Sequence, residues 1–261
     1  GKESVVYKGQ LLCYGWLLER IKLWEDRISE SINSDQAVVA IHSNFSADSI
    51  CLFMALAKRG HILVPLTSAV ESKKDEFLKI SQAEYSFFIT DDSYQIVNHG
   101  EKATHHLYQE IRKRNHPGLV VFSSGSTGKS KAAVHDLVPI MQKFKTQRHS
   151  FRTLIFLLFD HLGGINTFLY VLSNGGCLII PDKRTPDSVL SCIQQNKVEL
   201  LPTSPSFLNL ILLGEKYKNY DLSSLKLITY GTEVMHDVTL KKTNEAFPNA
   251  RLLQTYGLSE I

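Results

Sequence analysis

The feature that most constrains the fold of this chain is the alternation of short apolar runs with longer segments of helical periodicity. Apolar residues recur every three or four positions from Tyr14 to Ile32, which predicts an amphipathic opening helix. Short strands are predicted at residues 37–41, 62–65, 85–90, 119–122, 154–159, 177–180, 199–202, 225–230 and 251–254. Each crossover helix must pack back on the sheet, so this order predicts an α/β fold with mostly parallel sheets.

The helix start signals between these strands support the same fold class. Thr185 and Ser204 are each followed by proline, so each offers an N-cap hydroxyl and a proline at the first helical position. Further helices are predicted at about residues 48–59 and 73–83. We expect a first α/β subdomain over residues 1–105 and a second over residues 106–261.

The composition is that of an ordinary globular protein of 261 residues. Hydrophobic residues make up 43% and charged residues 21%, which excludes a disordered chain. Lys and Arg exceed Asp and Glu by 29 − 26 = 3. So small an excess predicts no nucleic-acid partner and no binding to an anionic membrane surface.

The cysteines and the apolar segments predict a cytoplasmic protein without a membrane span. No C-x-x-C pair occurs, which argues against a disulfide framework and a zinc knuckle; the cysteines are Cys13, Cys51, Cys177 and Cys192. The first residues show no apolar run of a signal peptide. The most apolar stretch, residues 154–172, carries Asp160, His161 and Asn166 in its middle, which a bilayer span would not readily tolerate.

A Ser- and Gly-rich loop after a predicted strand is the strongest sign of a binding site. It consists of Ser123, Ser124, Gly125, Ser126, Thr127, Gly128, Lys129, Ser130 and Lys131. Glycines let backbone N–H groups turn towards an anion, hydroxyls donate hydrogen bonds, and lysines supply positive charge. The loop therefore predicts a polyphosphate site rather than an ordinary surface loop.

Two kinds of phosphate loop compete for this segment. Gly128, Lys129 and Ser130 match the end of a Walker A loop, G-x-x-x-x-G-K-[ST]. Ser123 stands where the leading glycine of that loop would be, and no strand offers an obvious Walker B aspartate for magnesium. A phosphotransferase is therefore the alternative function.

The segment from Ser123 to Lys131 resembles more closely the signature loop of the adenylate-forming family, which includes acyl-CoA synthetases, nonribosomal adenylation domains and luciferases. The family usually has Pro-Lys-Gly where this chain has Ser130, Lys131 and Ala132, a departure that changes the stiffness of the loop. His135 stands where the family commonly has a histidine.

Three more segments resemble motifs of the same family, in the same order. Residues 159–164 resemble its aromatic and His-Gly segment, which implies that His161 and Gly163 line the acyl pocket; from the residues alone, His161 is as readily a loop histidine without a ligand. Residues 229–233 resemble the segment beside the adenine, which implies nucleotide contacts from Gly231, Thr232 and Glu233.

The last of these segments, residues 254–260, resembles the family's Tyr-Gly-x-Thr/Ser-Glu motif. The resemblance implies that the Tyr256 ring stacks on adenine beside Gly257, and that Ser259 donates to phosphate. It also implies that Glu260 holds Mg²⁺ through its carboxylate oxygens and acts in catalysis together with Lys131.

The resemblance covers nearly the whole chain and implies two stacked, mostly parallel α/β subdomains (layered αβαβα), as in the N-terminal domain of adenylating enzymes. It implies activation of a fatty or aryl acid with ATP and Mg²⁺, followed by transfer to CoA or to the thiol of a carrier protein. Asp160 could instead bind the ammonium group of an amino acid. We expect the family's mobile C-terminal domain to be absent from this chain, and the chain alone to have little activity. A non-catalytic nucleotide-binding module is a further alternative.

Overall fold

The computed structural model describes residues 1–124 and 130–257, and it contains two β-sheets. The strands are β1 (Glu3–Tyr7), β2 (Gln10–Cys13), β3 (Val38–His42), β4 (Ile62–Leu66), β5 (Tyr85–Ile89), β6 (Tyr94–Asn98), β7 (Gly118–Ser124), β8 (Ser130–Asp136), β9 (Arg152–Leu154), β10 (Cys177–Ile180), β11 (Leu200–Thr203), β12 (Leu227–Tyr230) and β13 (Arg251–Gln254). The α-helices are α1 (Tyr14–Ser31), α2 (Ala47–Lys58), α3 (Lys74–Ser81), α4 (His106–Lys113), α5 (Leu137–Gln142), α6 (Leu162–Ser173), α7 (Pro186–Asn196), α8 (Pro205–Gly214) and α9 (Asp237–Ala246).

Both sheets are mostly parallel, as predicted. One has seven strands in the order β13-β12-β11-β9-β10-β1-β2, and the other has six in the order β6-β5-β3-β4-β7-β8. In the described residues, antiparallel pairing occurs only in the hairpins β1–β2, β5–β6 and β7–β8. The α/β fold class is therefore confirmed.

The packing of the helices gives the five layers that were predicted. Side chains from both sheets meet α1, α2 and α6 in one shared core, where Trp24, Phe53 and Phe168 are fully buried. Helices α7 and α8 cover the other face of the seven-stranded sheet, and α3 and α4 cover the other face of the six-stranded sheet. The order is helix, sheet, helix, sheet, helix, which is the αβαβα architecture.

The chain passes from one sheet to the other twice. Strands β1 and β2 belong to the seven-stranded sheet, residues 38–136 build the six-stranded sheet, and the seven-stranded sheet resumes at β9. The predicted subdomain boundary between residues 105 and 106 falls within the segment that builds the six-stranded sheet. As a boundary between subdomains it stays a prediction.

One predicted strand is much shorter than expected. The prediction covered residues 154–159, whereas β9 ends at Leu154. The carbonyl oxygen of Phe156 accepts a hydrogen bond from Arg184 Nε at 2.6 Å, and Phe159 turns into the shared core against the ring of Phe45, with ring centroids 4.8 Å apart. The residues after Leu154 are thus partly or fully buried outside the sheet, so the apolar run alone did not indicate a strand.

The helix caps at the two predicted Ser/Thr-Pro starts are confirmed. The Thr185 hydroxyl accepts from the backbone N–H of Ser188, and the Ser204 hydroxyl accepts from that of Phe207. No helix within residues 1–124 and 130–257 combines the length and the apolar character that crossing a membrane requires.

The buried His61 and the half-buried His42 should make the fold less stable in mild acid. Burial lowers the pKa of His61 and of His42 to about 4, and a nearby lysine or arginine adds to the effect. Because these pKa values lie below the ordinary value of about 6.5, the unfolded chain binds more protons in the window between them. Stability is therefore fully present above pH 6.5 and is lost as the pH falls towards 4. For His61 we expect a loss of about 2 kcal/mol between pH 7 and pH 5.

Urea unfolding at several pH values checks this expectation. The Nδ1 atom of His61 accepts the backbone N–H of Ala37 at 3.1 Å, and the amide oxygen of His61→Asn can replace it without titrating. This variant should show a flatter dependence of unfolding free energy on pH between 7 and 5. His106→Asn, at an exposed position, should keep the wild-type dependence. An unchanged slope in His61→Asn would contradict the assignment.

Candidate functional site

The carboxyl ends of β12 and β13 bring two of the predicted nucleotide segments together. The strands run parallel with Tyr230 opposite Gln254, and the backbone N–H of Thr255 donates to the carbonyl oxygen of Tyr230 at 2.8 Å. A Cβ atom on Gly231 would lie 2.6 Å from the carbonyl oxygen of Thr255 and 2.7 Å from its hydroxyl. Only glycine permits this approach, so residues 231–233 and 255–257 form one edge.

Of the two residues after Gly231, the first has an unusual backbone conformation and the second has a side chain bound to helix α8. Thr232 has φ +70°, a left-handed conformation that is rare for a β-branched residue. The Glu233 side chain, predicted to contact the nucleotide, accepts hydrogen bonds through Oε2 from the backbone N–H of Ser206 at 3.1 Å and from the Ser206 hydroxyl. Glu233 is thus tied to the first turn of α8.

The aromatic ring predicted to stack on a base is accessible. Tyr256 is 88% exposed, and a Cβ atom on Gly257 would meet no atom within 4 Å. A flat ring could reach this edge of the sheet and stack on the tyrosine. Leu258, Ser259, Glu260 and Ile261 lie outside the described residues, and with them the predicted phosphate contact and the predicted Mg²⁺ ligand.

The predicted phosphate loop begins and ends on the hairpin of β7 and β8. Ser123 lies opposite Lys131 in the ladder, the backbone of Ser124 lies opposite Ser130, and the Lys131 side chain is exposed. The strands therefore bring Lys131 beside Ser123. The rest of the loop lies outside the described residues: Gly125, Ser126, Thr127, Gly128 and Lys129.

The segment predicted to wall the acyl pocket opens helix α6. His161 occupies the N-cap position with a side chain that is 54% exposed. Beside it, Asp160 is buried, and its Oδ2 accepts from the Thr67 hydroxyl at 2.6 Å and from the Thr67 backbone N–H at 3.3 Å. Its Oδ1 lies 3.8 Å from His161 Nε2 and makes no hydrogen bond within the described part of the chain. Thr67 follows β4, so this contact joins the end of β4 to the segment that begins α6.

The two glycines of that segment have different surroundings. A Cβ atom on Gly163, the predicted substrate contact, would meet the tip of the Leu157 side chain at 3.1 Å. A Cβ atom on Gly164 would lie only 1.9 Å from the carbonyl oxygen of Leu158. The close backbone approach in this segment therefore belongs to Gly164.

A cavity lined by both polar and apolar residues was not predicted from the sequence. It has a volume of about 290 Å³ and lies at the ends of β1 and β10; its lining includes Tyr7, Lys8, Asn44, Asp182, Lys183 and Arg184. Lys8 and the Tyr7 hydroxyl both bind Asp91. Lys8, Lys183 and Arg184 outnumber Asp182 in this lining, and Asp91 pairs with Lys8, so the cavity carries only a small net positive charge.

The described residues hold no cluster of three or more His, Cys, Asp or Glu side chains that could bind a metal ion. The residues missed by the sequence prediction are Ser206, which holds Glu233, and Thr67, which holds Asp160. Both contacts join residues far apart in the chain, and no local pattern marks them.

The comparisons with known proteins show a family and a shared fold. The family described as AMP-binding enzyme matches residues 1–261. The 4-coumarate–CoA ligase-like 9 of Arabidopsis thaliana is 23% identical over 97% of this chain and 50% of its own length. A D-alanine–D-alanyl carrier protein ligase of Bacillus cytotoxicus is 22% identical over 89% of this chain and 51% of its own length.

Among solved structures, the inhibitor-bound N-terminal domain of FACL13 from Mycobacterium tuberculosis superposes with a TM-score of 0.79 at 18% identity. That match covers 99% of this chain and 72% of the other, and it shows a shared fold. The chain spans about half the length of the curated relatives it matches.

Proposed function

The chain belongs to the AMP-binding enzyme family, and we propose that it forms the nucleotide-binding part of an AMP-forming carboxylate–thiol ligase. In the intact protein, a carboxylate oxygen attacks the α-phosphate of ATP, pyrophosphate leaves, and an acyl-AMP forms. A thiol then displaces AMP to give a thioester; CoA is the proposed acceptor and the thiol of a carrier protein the alternative. The observation that carries this proposal is the edge formed by Gly231 and Thr255, beside which Tyr256 is exposed and Gly257 has open space around it.

The roles proposed for the residues follow from their chemistry. Backbone and hydroxyl donors of residues 123–129 bind the phosphates, and Tyr256 and residues 231–233 bind the base. Negative charge grows on the phosphate oxygens as pyrophosphate leaves, so Lys131 and a Mg²⁺ ion on Glu260 would stabilise the transition state. Magnesium supplies positive charge at the phosphates when it is bound.

The proposed acid is fatty or aryl, because the segment that leads to His161 is apolar and its Phe159 ring packs against Phe45 and Phe168. One observation favours an amino acid as the second candidate. Asp160 uses only Oδ2 to bind Thr67, and its buried Oδ1 makes no described hydrogen bond. An ammonium group would satisfy that oxygen. A cytoplasmic location belongs to the same proposal, since the cysteines are free.

Nucleotide binding and product analysis test the proposal. ATP should raise the melting temperature, because a ligand that binds only the folded state stabilises it. Lys131→Ala should weaken ATP binding about tenfold, while Lys145→Ala, at another exposed lysine, should leave it unchanged. The intact protein should release pyrophosphate from ATP in the presence of a carboxylic acid. Release of ADP instead would point to a phosphotransferase and end the proposal.

A further inference from the structure

The start of helix α8 holds the loop that follows Gly231. Ser204 caps the helix through the backbone N–H of Phe207 at 3.3 Å, and Pro205 has no N–H to satisfy. The backbone N–H of Ser206 is the next donor, and it points at Glu233 Oε2 at 3.1 Å. The Ser206 hydroxyl donates to the same oxygen. Two donors of Ser206, at the positive end of the helix dipole, therefore hold this exposed carboxylate.

The loop held in this way is under backbone strain. A β-branched residue at φ +70° is disfavoured, and such conformations persist only where the surrounding structure fixes them. On one side of Thr232, Gly231 is pressed against Thr255; on the other, Glu233 is bound to α8. The Thr232 hydroxyl closes back on the carbonyl oxygen of Gly231 at 2.6 Å. The strained residue is thus clamped between two fixed points.

We propose that Ser206 is a positioning residue that holds Glu233, and through it residues 231–233, in the conformation that contacts the nucleotide base. This inference rests on the proposed function, because it assumes that a base binds at this edge. Ser206 itself need not touch the nucleotide. Releasing its hydroxyl lets the Glu233 side chain leave α8 and lets Thr232 relax to an ordinary backbone conformation, which moves the edge away from the base.

Titration calorimetry with two probes tests the inference. Ser206→Ala should bind ATP about tenfold more weakly than the wild type, while its affinity for inorganic tripolyphosphate, which lacks a base, should not change. Ser206→Thr keeps the hydroxyl and should restore ATP affinity to within about twofold. Ser188→Ala, in the first turn of α7 behind its own Thr-Pro start, is the matched control and should behave as the wild type.

The outcomes separate this inference from the proposed function. Wild-type ATP affinity in Ser206→Ala would overturn the inference alone, as would an equal loss for ATP and for tripolyphosphate. Absence of ATP binding to the wild type would overturn both. Glu233→Gln, which keeps an oxygen acceptor but loses the charge, is the second variant. It should weaken ATP binding and leave tripolyphosphate affinity unchanged, as Ser206→Ala should. Unchanged ATP affinity together with weaker tripolyphosphate binding would overturn the inference.

Discussion

Gly164→Ala should lower the free energy of unfolding by about 3 kcal/mol or prevent folding, whereas Gly163→Ala should change it by less than about 1 kcal/mol. At Gly164, the new methyl group would lie 1.9 Å from the carbonyl oxygen of Leu158. That atom is backbone, and no side-chain rotation can move it away. The first turn of α6 would have to separate from residues 157–158.

The neighbouring glycine is the matched control, because both lie in the first turn of the same helix. A methyl group on Gly163 would meet Leu157 Cδ1 at 3.1 Å, the far end of a flexible side chain. Alanine is also favoured over glycine in a helix by about 1 kcal/mol, which offsets a small shift of that leucine. Urea unfolding of both variants measures the difference, and equal stabilities would refute the close approach at Leu158.

The sequence predicted several inner strands well because their burial leaves a continuous apolar signal. Strands β3, β4 and β10 were placed to within one residue at each end, and their residues are almost all buried. Strands β1, β2, β6 and β8 were not predicted. Of these, β2, β6 and β8 lie at the edges of their sheets, whereas β1 is an inner strand whose apolar run is only Val5, Val6 and Tyr7. An edge strand is held by its backbone pairing on one side, so its side chains need no apolar pattern.

The candidate site shows the same limit at the level of single residues. The family motif pointed to Gly231 as a nucleotide contact, which stays a prediction, and the structure shows that Thr255 approaches this glycine closely. The same kind of resemblance selected Gly163, although Gly164 makes the closer backbone contact. The partners of Glu233 and Asp160 lie 27 and 93 residues away in the chain. Contacts of that span depend on the whole fold, and a local pattern does not encode them.

Arg112→Leu should lower the free energy of unfolding by about 3–5 kcal/mol, because it leaves a buried carboxylate without its cation. The side chains of Arg112 and Glu84 are only 17% and 6% exposed, and Nη2 lies 2.6 Å from Glu84 Oε1. The guanidinium also donates to the carbonyl oxygens of Gln36 and Ala103. Arg112 thus connects helix α4 to the segment before β3, through Gln36, and to the segment that leads into α4, through Ala103.

Denaturant unfolding of two further variants distinguishes the effect of the unpaired Glu84 carboxylate from a general effect of substitutions in α4. Lys113→Ala removes the neighbouring cation. Lys113 pairs with Glu110 at the surface, where the two side chains are 70% and 53% exposed. The variant should therefore lower the free energy of unfolding by less than about 0.5 kcal/mol. Adding Glu84→Gln to Arg112→Leu should recover part of the loss, because a neutral amide is cheaper to bury than an unpaired carboxylate. The amide oxygen can still accept the backbone N–H of Val38, which binds Glu84 Oε1 at 3.2 Å. If the double variant were less stable than Arg112→Leu alone, the buried charge would not be the cause of the loss.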